Sequence, residues 1–485
     1  MPLSLALDLG TTSIAAAAVS LEGKLVGVVR RPNDAGVAGL GADAAEQDPL
    51  RLREIAFGVL KELAGTLPET PHCLGITGQM HGVLLTDAAL RPLTRLITWQ
   101  DRRANLRVPG TDQTWLQERL SRLGEVTQEP TGCRLAAGYL GMTLSLLRDP
   151  HAAELYGALA IADVHKASVV ADWIAAELSD GTIVTDPGNA ASTGVFDLPR
   201  RNWQTALLIE LGVPAEWLPE VRESGAVIGH ISSAVADATG LPAGLPVCNA
   251  IGDNQAAVLG SVPAGNPAIQ INVGTGGQIN WPVTEFVRVA GMDTRPLPLG
   301  RQMLVGAGLS GGDAYAWVNR TVGSWLSAFG VGSDSATVYA RLNALAATAP
   351  FEAEGLTCEP LFRGTRREPL ARGKFHGITY DNFTPGNVAR AVLRGIATGM
   401  YSFYEQAGVW QPTGLTRIIG SGNGLRQNPL LVEAIEATFK REVWFPIHEE
   451  EACFGTALLA GVSTGMWPSL EAAGALIQLK KATEA

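Results

Sequence analysis

The sequence predicts an α/β protein built as two related halves. Three observations carry that prediction: the length, a strand–glycine–threonine unit that occurs twice, and short apolar strands alternating with amphipathic helices. At 485 residues the chain exceeds one ordinary hydrophobic core, so two large domains are expected. Leu3, Leu5, Leu7 and Leu9 alternate into Gly10-Thr11-Thr12, and Ile269, Ile271 and Val273 alternate into Gly274-Thr275-Gly276. Period-two alternation marks a strand. Glycine permits a tight turn and a close backbone approach to a ligand, and threonine adds a hydroxyl. Either unit alone is most simply a β-turn. Two of them, one in each half, suggest a duplicated fold that grips one nucleotide from two sides.

The elements follow in chain order. Asp48 suits a helix N-cap and Pro49 the first helical position; Leu52, Ile55, Ala56, Val59, Leu60 and Leu63 follow at helical spacing until Gly65. Cys73 to Thr77 reads as a short strand entering the polar cluster Gly78-Gln79-Met80-His81-Gly82. Leu96 to Trp99 reads as another, ending in Gln100-Asp101-Arg102-Arg103. The stretch from Leu241 to Pro246 is the best boundary, giving halves 1–245 and 246–485. Val247 to Ile251 then reads as a strand delivering Gly252-Asp253-Asn254-Gln255. Arg417 to Ile419 enters Gly420-Ser421-Gly422-Asn423-Gly424, and Asn428-Pro429 opens a helix carrying Leu430, Leu431, Ala434, Ile435 and Phe439. Strands alternating with helices give the α/β class.

Composition narrows the function. A formal net charge of −10 argues against nonspecific binding to nucleic acid or an anionic membrane. Five scattered cysteines with no C-x-x-C argue against a disulfide framework or zinc site. Asp8 interrupts the first apolar run, and no stretch reaches the roughly 18 apolar residues of a spanning helix, so a soluble cytoplasmic protein is expected.

Asp8 gives the first loop its specificity. A buried aspartate there needs a partner, and a hydrated Mg²⁺ carried by a nucleotide suits it. A P-loop enzyme is disfavoured because G-x-x-x-x-G-K-[ST] is missing, and a Rossmann dehydrogenase because Gly420-x-Gly422-x-Gly424 is not G-x-G-x-x-G. Asp253 has two readings: a helix N-cap, or a general base at a strand end placed to take a proton from an alcohol. Gln79, Met80, His81, Trp99 and Asp101 gather donors, acceptors and one flat ring at strand ends, where α/β sheets bind ligands; the set suits a polyol. Arg102-Arg103 reads as a solvated surface pair rather than a phosphate clamp.

Together these residues resemble the FGGY carbohydrate kinases, with the motifs in order over nearly the whole chain. Leu7 to Ser13 resembles the first phosphate loop, Gly252-Asp253-Asn254 the catalytic-aspartate motif and Asn272 to Gly276 the second phosphate loop. Leu309-Ser310-Gly311-Gly312 resembles the nucleotide-side glycine segment and Gly420-Ser421-Gly422 the adenosine loop. The resemblance implies two ribonuclease H-like domains of the actin and hexokinase type with a cleft between them. It implies ATP and Mg²⁺ as cofactors and a small-molecule sugar as partner; no nucleic acid or membrane is expected, and a homodimer is possible. Asp253 would be the catalytic base. Gly10, Thr11, Thr12, Gly274, Thr275, Gly276, Gly312, Gly420, Ser421 and Gly422 would hold the nucleotide, and Asp8 would hold Mg²⁺ through water. Gln79, Met80, His81, Trp99, Asp101 and Asn254 would line the sugar site. The second half would then own both the base and a phosphate loop.

Within the family, Gly78-Gln79-Met80-His81-Gly82 resembles the ketose kinases, sedoheptulokinase and xylulokinase, where glycerol kinases carry Arg-Glu in place of Met80-His81; Thr98 to Asp101, Thr131-Gly132-Cys133, Asn189 to Ser192 and Gly420-Ser421-Gly422 together resemble sedoheptulokinases most. The stretch His165-Lys166-Ala167-Ser168 departs from the Lys-Asp-Tyr of many members. The alternative of another class is a non-catalytic, nucleotide-gated binding protein on the same fold.

Overall fold

A computed structural model describes residues 2–484 except 158–162, 180, 264–266, 363 and 365–370, and only the backbone at 125–127 and 153. Two seven-stranded sheets share one plan. In the first, Leu25–Pro32, Ser13–Ser20, Leu3–Leu9, Pro71–Gly78 and Pro246–Cys248 lie side by side. Leu3–Leu9 runs antiparallel to Ser13–Ser20 and parallel to Pro71–Gly78. In the second, Gln302–Ser310, Gly276–Val283, Ala268–Val273, Arg417–Ser421 and Val443–Pro446 repeat the order and the directions. Both Gly-Thr units therefore turn the same hairpin, between the first and second strands of each half.

The predicted helix spans Pro49–Ala64, with the Asp48 carboxylate accepting from the Leu50 and Arg51 amides at 2.9 and 3.3 Å. Its apolar stripe meets Leu5, Leu7 and Leu9 in the first core. The opposite face of that sheet carries small residues. Ala6, Ala15 and Ala17 pack on Cys453, Phe454, Ala457 and Leu458 of the helix Glu451–Ser463. This helix also crosses the helix Asp253–Ser261 at van der Waals distance. A Cβ on Gly260 would lie 2.0 Å from the Glu451 carbonyl oxygen, and one on Gly455 would lie 2.0 Å from that of Ala256. Only glycine fits either position, and the crossing fixes the helix that Asp253 begins.

The two halves differ in where they are interrupted. The first inserts residues 79–226 after Pro71–Gly78, with a core of its own around Val83, Leu85, Leu140, Leu144 and Leu207. The second inserts its helices, among them Gly312–Ala328 and Pro385–Gln406, between Gln302–Ser310 and Arg417–Ser421.

Three expectations are corrected. The strand expected over Val247 to Ile251 is two pieces, Pro246–Cys248 and Ile251–Gly252, broken where the Asn249 amide donates to the Arg222 and Glu223 carbonyls. Both pieces pair with Pro71–Gly78, so the first sheet continues past the expected boundary at 245 and carries Asp253 at its end. The strand expected over Leu96 to Trp99 is only Leu96–Ile97.

Candidate active site

Register brings two carboxylates to the same end of the first sheet. Asp8 pairs across from Thr77, Thr77 from Ile251, and Gly252 from Gly78. Asp253 therefore leaves the sheet beside Gln79, two strands from Asp8. Gly252, not Asp253, is the residue flanking the helix, and no side chain caps it. Asp253 Oδ1 accepts its neighbour's amide, Asn254 N, at 2.7 Å. Burial pushes the Asp253 carboxyl up to about 6, opposed by that amide and by the Arg295 guanidinium. Asp8 is pushed up to about 7, first by burial and then by the charges of Asp253 and Glu450, with Arg30 opposing. Asp8 Oδ1 is buried and has no hydrogen-bond partner among the described residues. A desolvated carboxylate oxygen facing other negative charge fits a cation. Among the described residues no group of three His, Cys, Asp or Glu side chains could hold a metal ion, so a cation here would have to arrive with phosphate oxygens.

The polar cluster after Pro71–Gly78 lies next to the base. Met80 lies flat on Gly252, where a Cβ would be 2.5 Å from its Sδ. His81 takes a left-handed φ of 71°, uncommon outside glycine, and its ring stacks on Tyr139 at 4.2 Å. His81 Nδ1 lies 2.8 Å from the Ser192 carbonyl, which can only accept, so Nδ1 carries a proton and donates it there. Trp99, 39 % exposed, donates Nε1–H to Thr11 Oγ1 at 2.9 Å. Thr11 in turn donates to Gln79 Oε1 at 3.5 Å. The first loop thus touches the residues expected at the sugar.

Asp101 lies behind this face. It is 1 % exposed and accepts from the Ala45 amide and from the Arg103 amide and guanidinium. Arg103 is itself buried, bridging Asp101 and Glu46 and lying over the Tyr156 ring, so its expected place in a surface pair is corrected. Asp101 anchors this arginine and the 45–46 segment.

The second hairpin is held by backbone. Gly312 N donates to Gly274 O at 2.9 Å and Asp313 N to Thr275 O at 3.0 Å, which sets the N-terminus of the helix Gly312–Ala328 against the loop. A Cβ on Gly311 would lie 2.5 Å from the Gly276 carbonyl. Gly422, at φ +82°, leaves no room for one beside Asn272 Oδ1, 2.5 Å away, and Val273 O, 2.6 Å away. Gly420 and Ser421 end the neighbouring strand, and Ser421 Oγ is buried without a partner among the described residues. Gly274, Gly312 and Asp313 thus spend their amides inside the turn and fix its shape.

Sequence reasoning missed Arg295. This guanidinium, 2 % exposed and paired with Asp293, comes from the second sheet yet acts electrostatically on Asp253, Cys133 and Tyr139. No local pattern marks it, because Asp253, Cys133 and Tyr139 all lie far from it along the chain. At the departure from Lys-Asp-Tyr, Ala167 is fully buried in the core of the first insertion, paired with Leu85. A cavity of about 430 Å³ also opens between the halves at Thr131, Gly132, Phe286 and Thr294, but none of the loop or base residues lines it.

The N-terminal domain model of the FGGY family of carbohydrate kinases matches residues 3–260, and its C-terminal domain model matches residues 293–464. Mouse (Mus musculus) sedoheptulokinase is 27 % identical over 94 % of this chain and 97 % of its own. Glycerol kinase of Bordetella parapertussis is 28 % identical over 99 % and 92 %. The fold matches that of xylulose kinase from Lactobacillus acidophilus with a TM-score of 0.85, covering 99 % of this chain and 93 % of the other at 20 % identity. The chain belongs to the FGGY family, and it is an ATP-dependent carbohydrate kinase.

Proposed function

We propose that this kinase phosphorylates a terminal primary hydroxyl of a ketose, sedoheptulose first, with Asp253 as base. The observation that carries the proposal is the placement of Asp253. A carboxyl raised to about 6 stands at a strand end beside Gln79, Met80 and Asn254, and within electrostatic reach of Asp8 in the Gly-Thr hairpin. Above that pKa the carboxylate is ionised yet still basic enough to accept a proton. The hydroxyl oxygen attacks the γ-phosphorus, the bond to the β–γ bridging oxygen breaks, and Asp253 takes the hydroxyl proton. Mg²⁺ bound with the nucleotide would neutralise phosphate charge, and Asp8 would hold it through water. The Gly10-Thr11-Thr12 and Gly274-Thr275-Gly276 loops would grip the phosphates, with Gly312 seating a helix end at the second, and Gly420, Ser421 and Gly422 flanking the adenosine. His81, Trp99 and Asn254 would orient the sugar, while Asp101 supports the wall behind.

Met80-His81 favours a ketose over glycerol, and the likeness to sedoheptulokinase over 94 % of the chain favours the seven-carbon sugar. Xylulose is the second reading, because the Gly78 to Gly82 cluster resembles both ketose kinases. An ATP-consumption screen over sedoheptulose, D-xylulose, D-ribulose, L-fuculose, gluconate and glycerol tests the substrate; glycerol ranking first would overturn it. Asp253→Asn should lower kcat by about 10²–10⁴-fold, the usual worth of a general base. The wild-type kcat/KM should fall with one proton below a pH of about 6. An Asn variant as fast as the wild type would remove Asp253 from the role.

A further inference from the structure

A line of buried amides runs from the base's neighbour into the second sheet. Asn254 Nδ2 donates to Asn280 Oδ1 at 3.3 Å, and Asn280 Nδ2 to Gln270 Oε1 at 3.1 Å. Gln270 Nε2 donates to Ser261 Oγ at 2.7 Å, and Ser261 donates to the Ala257 carbonyl at 2.6 Å. None of the four side chains is more than 6 % exposed. Gln270 and Asn280 are direct cross-strand partners in the second sheet. Ser261 and Asn254 stand at opposite ends of the helix Asp253–Ser261.

The sense of this line has one anchor. The Ala257 carbonyl can only accept, so Ser261 spends its proton there and presents a lone pair to Gln270. Gln270 must then offer its amino group to Ser261 and its oxygen to Asn280. The same logic passes through Asn280 and makes Asn254 a donor toward it. The one group left over is Asn254 Oδ1, which is buried and has no partner among the described residues. Leaving a buried acceptor unsatisfied costs about 1–3 kcal/mol, so an orphan at the end of an otherwise complete network points to a ligand donor.

We infer that Gln270 and Asn280 are positioning residues of the sugar site. They fix the Asn254 amide so that its carbonyl accepts from a sugar hydroxyl, and they do so only while the base helix is seated on the second sheet. The inference rests on the reading that Asn254 touches the sugar. It adds that the site demands a hydroxyl donor at this point, and that the half without the base sets the demand. Neither residue touches substrate.

The test uses the full chain, ATP and sedoheptulose, together with any other sugar of the screen that is turned over. Asn280→Leu removes the acceptor and should raise the sugar KM about tenfold, with kcat changed less than about threefold. Asn280→Asp still accepts from Asn254 and, with its buried carboxyl protonated, donates to the Gln270 oxygen, so it should keep KM within about threefold of wild type. A purely structural role would not let this isosteric acid restore KM. If Asn280→Leu does not fold by thermal melt, Asn280→Ala replaces it with the same expectation. Asn254→Ala should raise KM, and adding Asn280→Leu to it should cost nothing more. Unchanged KM in the Leu or Ala variant, or effects that multiply in the double variant, would overturn the relay alone. Unchanged KM in Asn254→Ala would instead overturn the placement of Asn254 at the sugar.

Discussion

The two Gly-Thr hairpins occupy the same position in the same sheet plan, yet they are built differently. Asp8 stands two residues before Gly10; Asn272 stands two residues before Gly274. The first loop is tied by side chains: Asn33 Nδ2 donates to Gly10 O, Gln47 Nε2 to Thr11 O, and Trp99 to the Thr11 hydroxyl. The second is tied by the Gly312 and Asp313 amides and by glycines that let the strands close on it. A duplicated fold thus fixes where a ligand is gripped, while the residues divide the work. In the proposed site the first loop carries the ionisable group and the contact to the sugar-side residues; the second loop offers backbone and shape. Asp253 conforms to this division, because it hangs from the first sheet despite its position in the middle of the sequence.

Between the two loops, the largest effect should come from breaking the glycine-built grip. Gly422→Val puts a branched side chain at φ +82°, where even a Cβ would lie 2.5 Å from Asn272 Oδ1. The second hairpin must move, and a shift of about 1 Å at a reacting centre can cost on the order of 10²-fold in rate. We expect kcat/KM for ATP to fall by about that factor while the sugar KM stays within about threefold. A variant that instead loses sugar affinity and keeps ATP use would break the division between the halves.

Much of this was legible in the sequence because it was local. The helix Pro49–Ala64 carries its own cap, stripe and stop, and both Gly-Thr turns sit at the ends of alternating strands. The boundary failed for a physical reason. Leu-Pro-Ala-Gly-Leu-Pro marks a chain reversal, and a reversal between two strands of one sheet looks the same as a linker between domains. Here it leads from the helix Ser233–Thr239 into Pro246–Cys248, beside Val227–His230. Arg103 looked solvated because its partners Glu46, Asp101 and Tyr156 meet only in three dimensions. Gln270 carries no sequence signal: it falls between Ile269 and Ile271, yet it is 1 % exposed and bonded to Ser261 and Asn280.

The next effect concerns charge. Asp8→Asn makes the first loop resemble the second at its foot and should raise the KM for Mg²⁺–ATP about tenfold. It should also stabilise the protein. Asp8 titrates at about 7 in the fold against 3.8 in the unfolded chain. The folded state therefore holds the extra proton between those values, and that stabilisation, complete below the lower value, is lost as pH rises through the higher. Asparagine removes the loss, so the gain in unfolding free energy should be larger at pH 8 than at pH 5 and reach at most about 4 kcal/mol. Thermal melts at the two pH values check the sign. A gain that shrinks with rising pH would show that Asp8 is not held against its ionised form.

The smallest effect separates the two threonines. Thr11 Oγ1 accepts from Trp99 and donates to Gln79, so Thr11→Val removes a hydroxyl shared by two sugar-side residues without changing its volume. Losing such a bond costs about 0.5–1.5 kcal/mol, or roughly three- to tenfold, and it should appear in the sugar KM. Thr275, at the matching turn, is exposed and lies against the helix Gly312–Ala328. Thr275→Val should leave the sugar KM unchanged and raise the KM for ATP by a factor of about two to five. Steady-state kinetics with each substrate varied in turn distinguishes the two outcomes. If both substitutions move the ATP constant equally and neither moves the sugar constant, the first loop is only a second copy of the phosphate grip, and its contact with Trp99 and Gln79 does not reach the sugar.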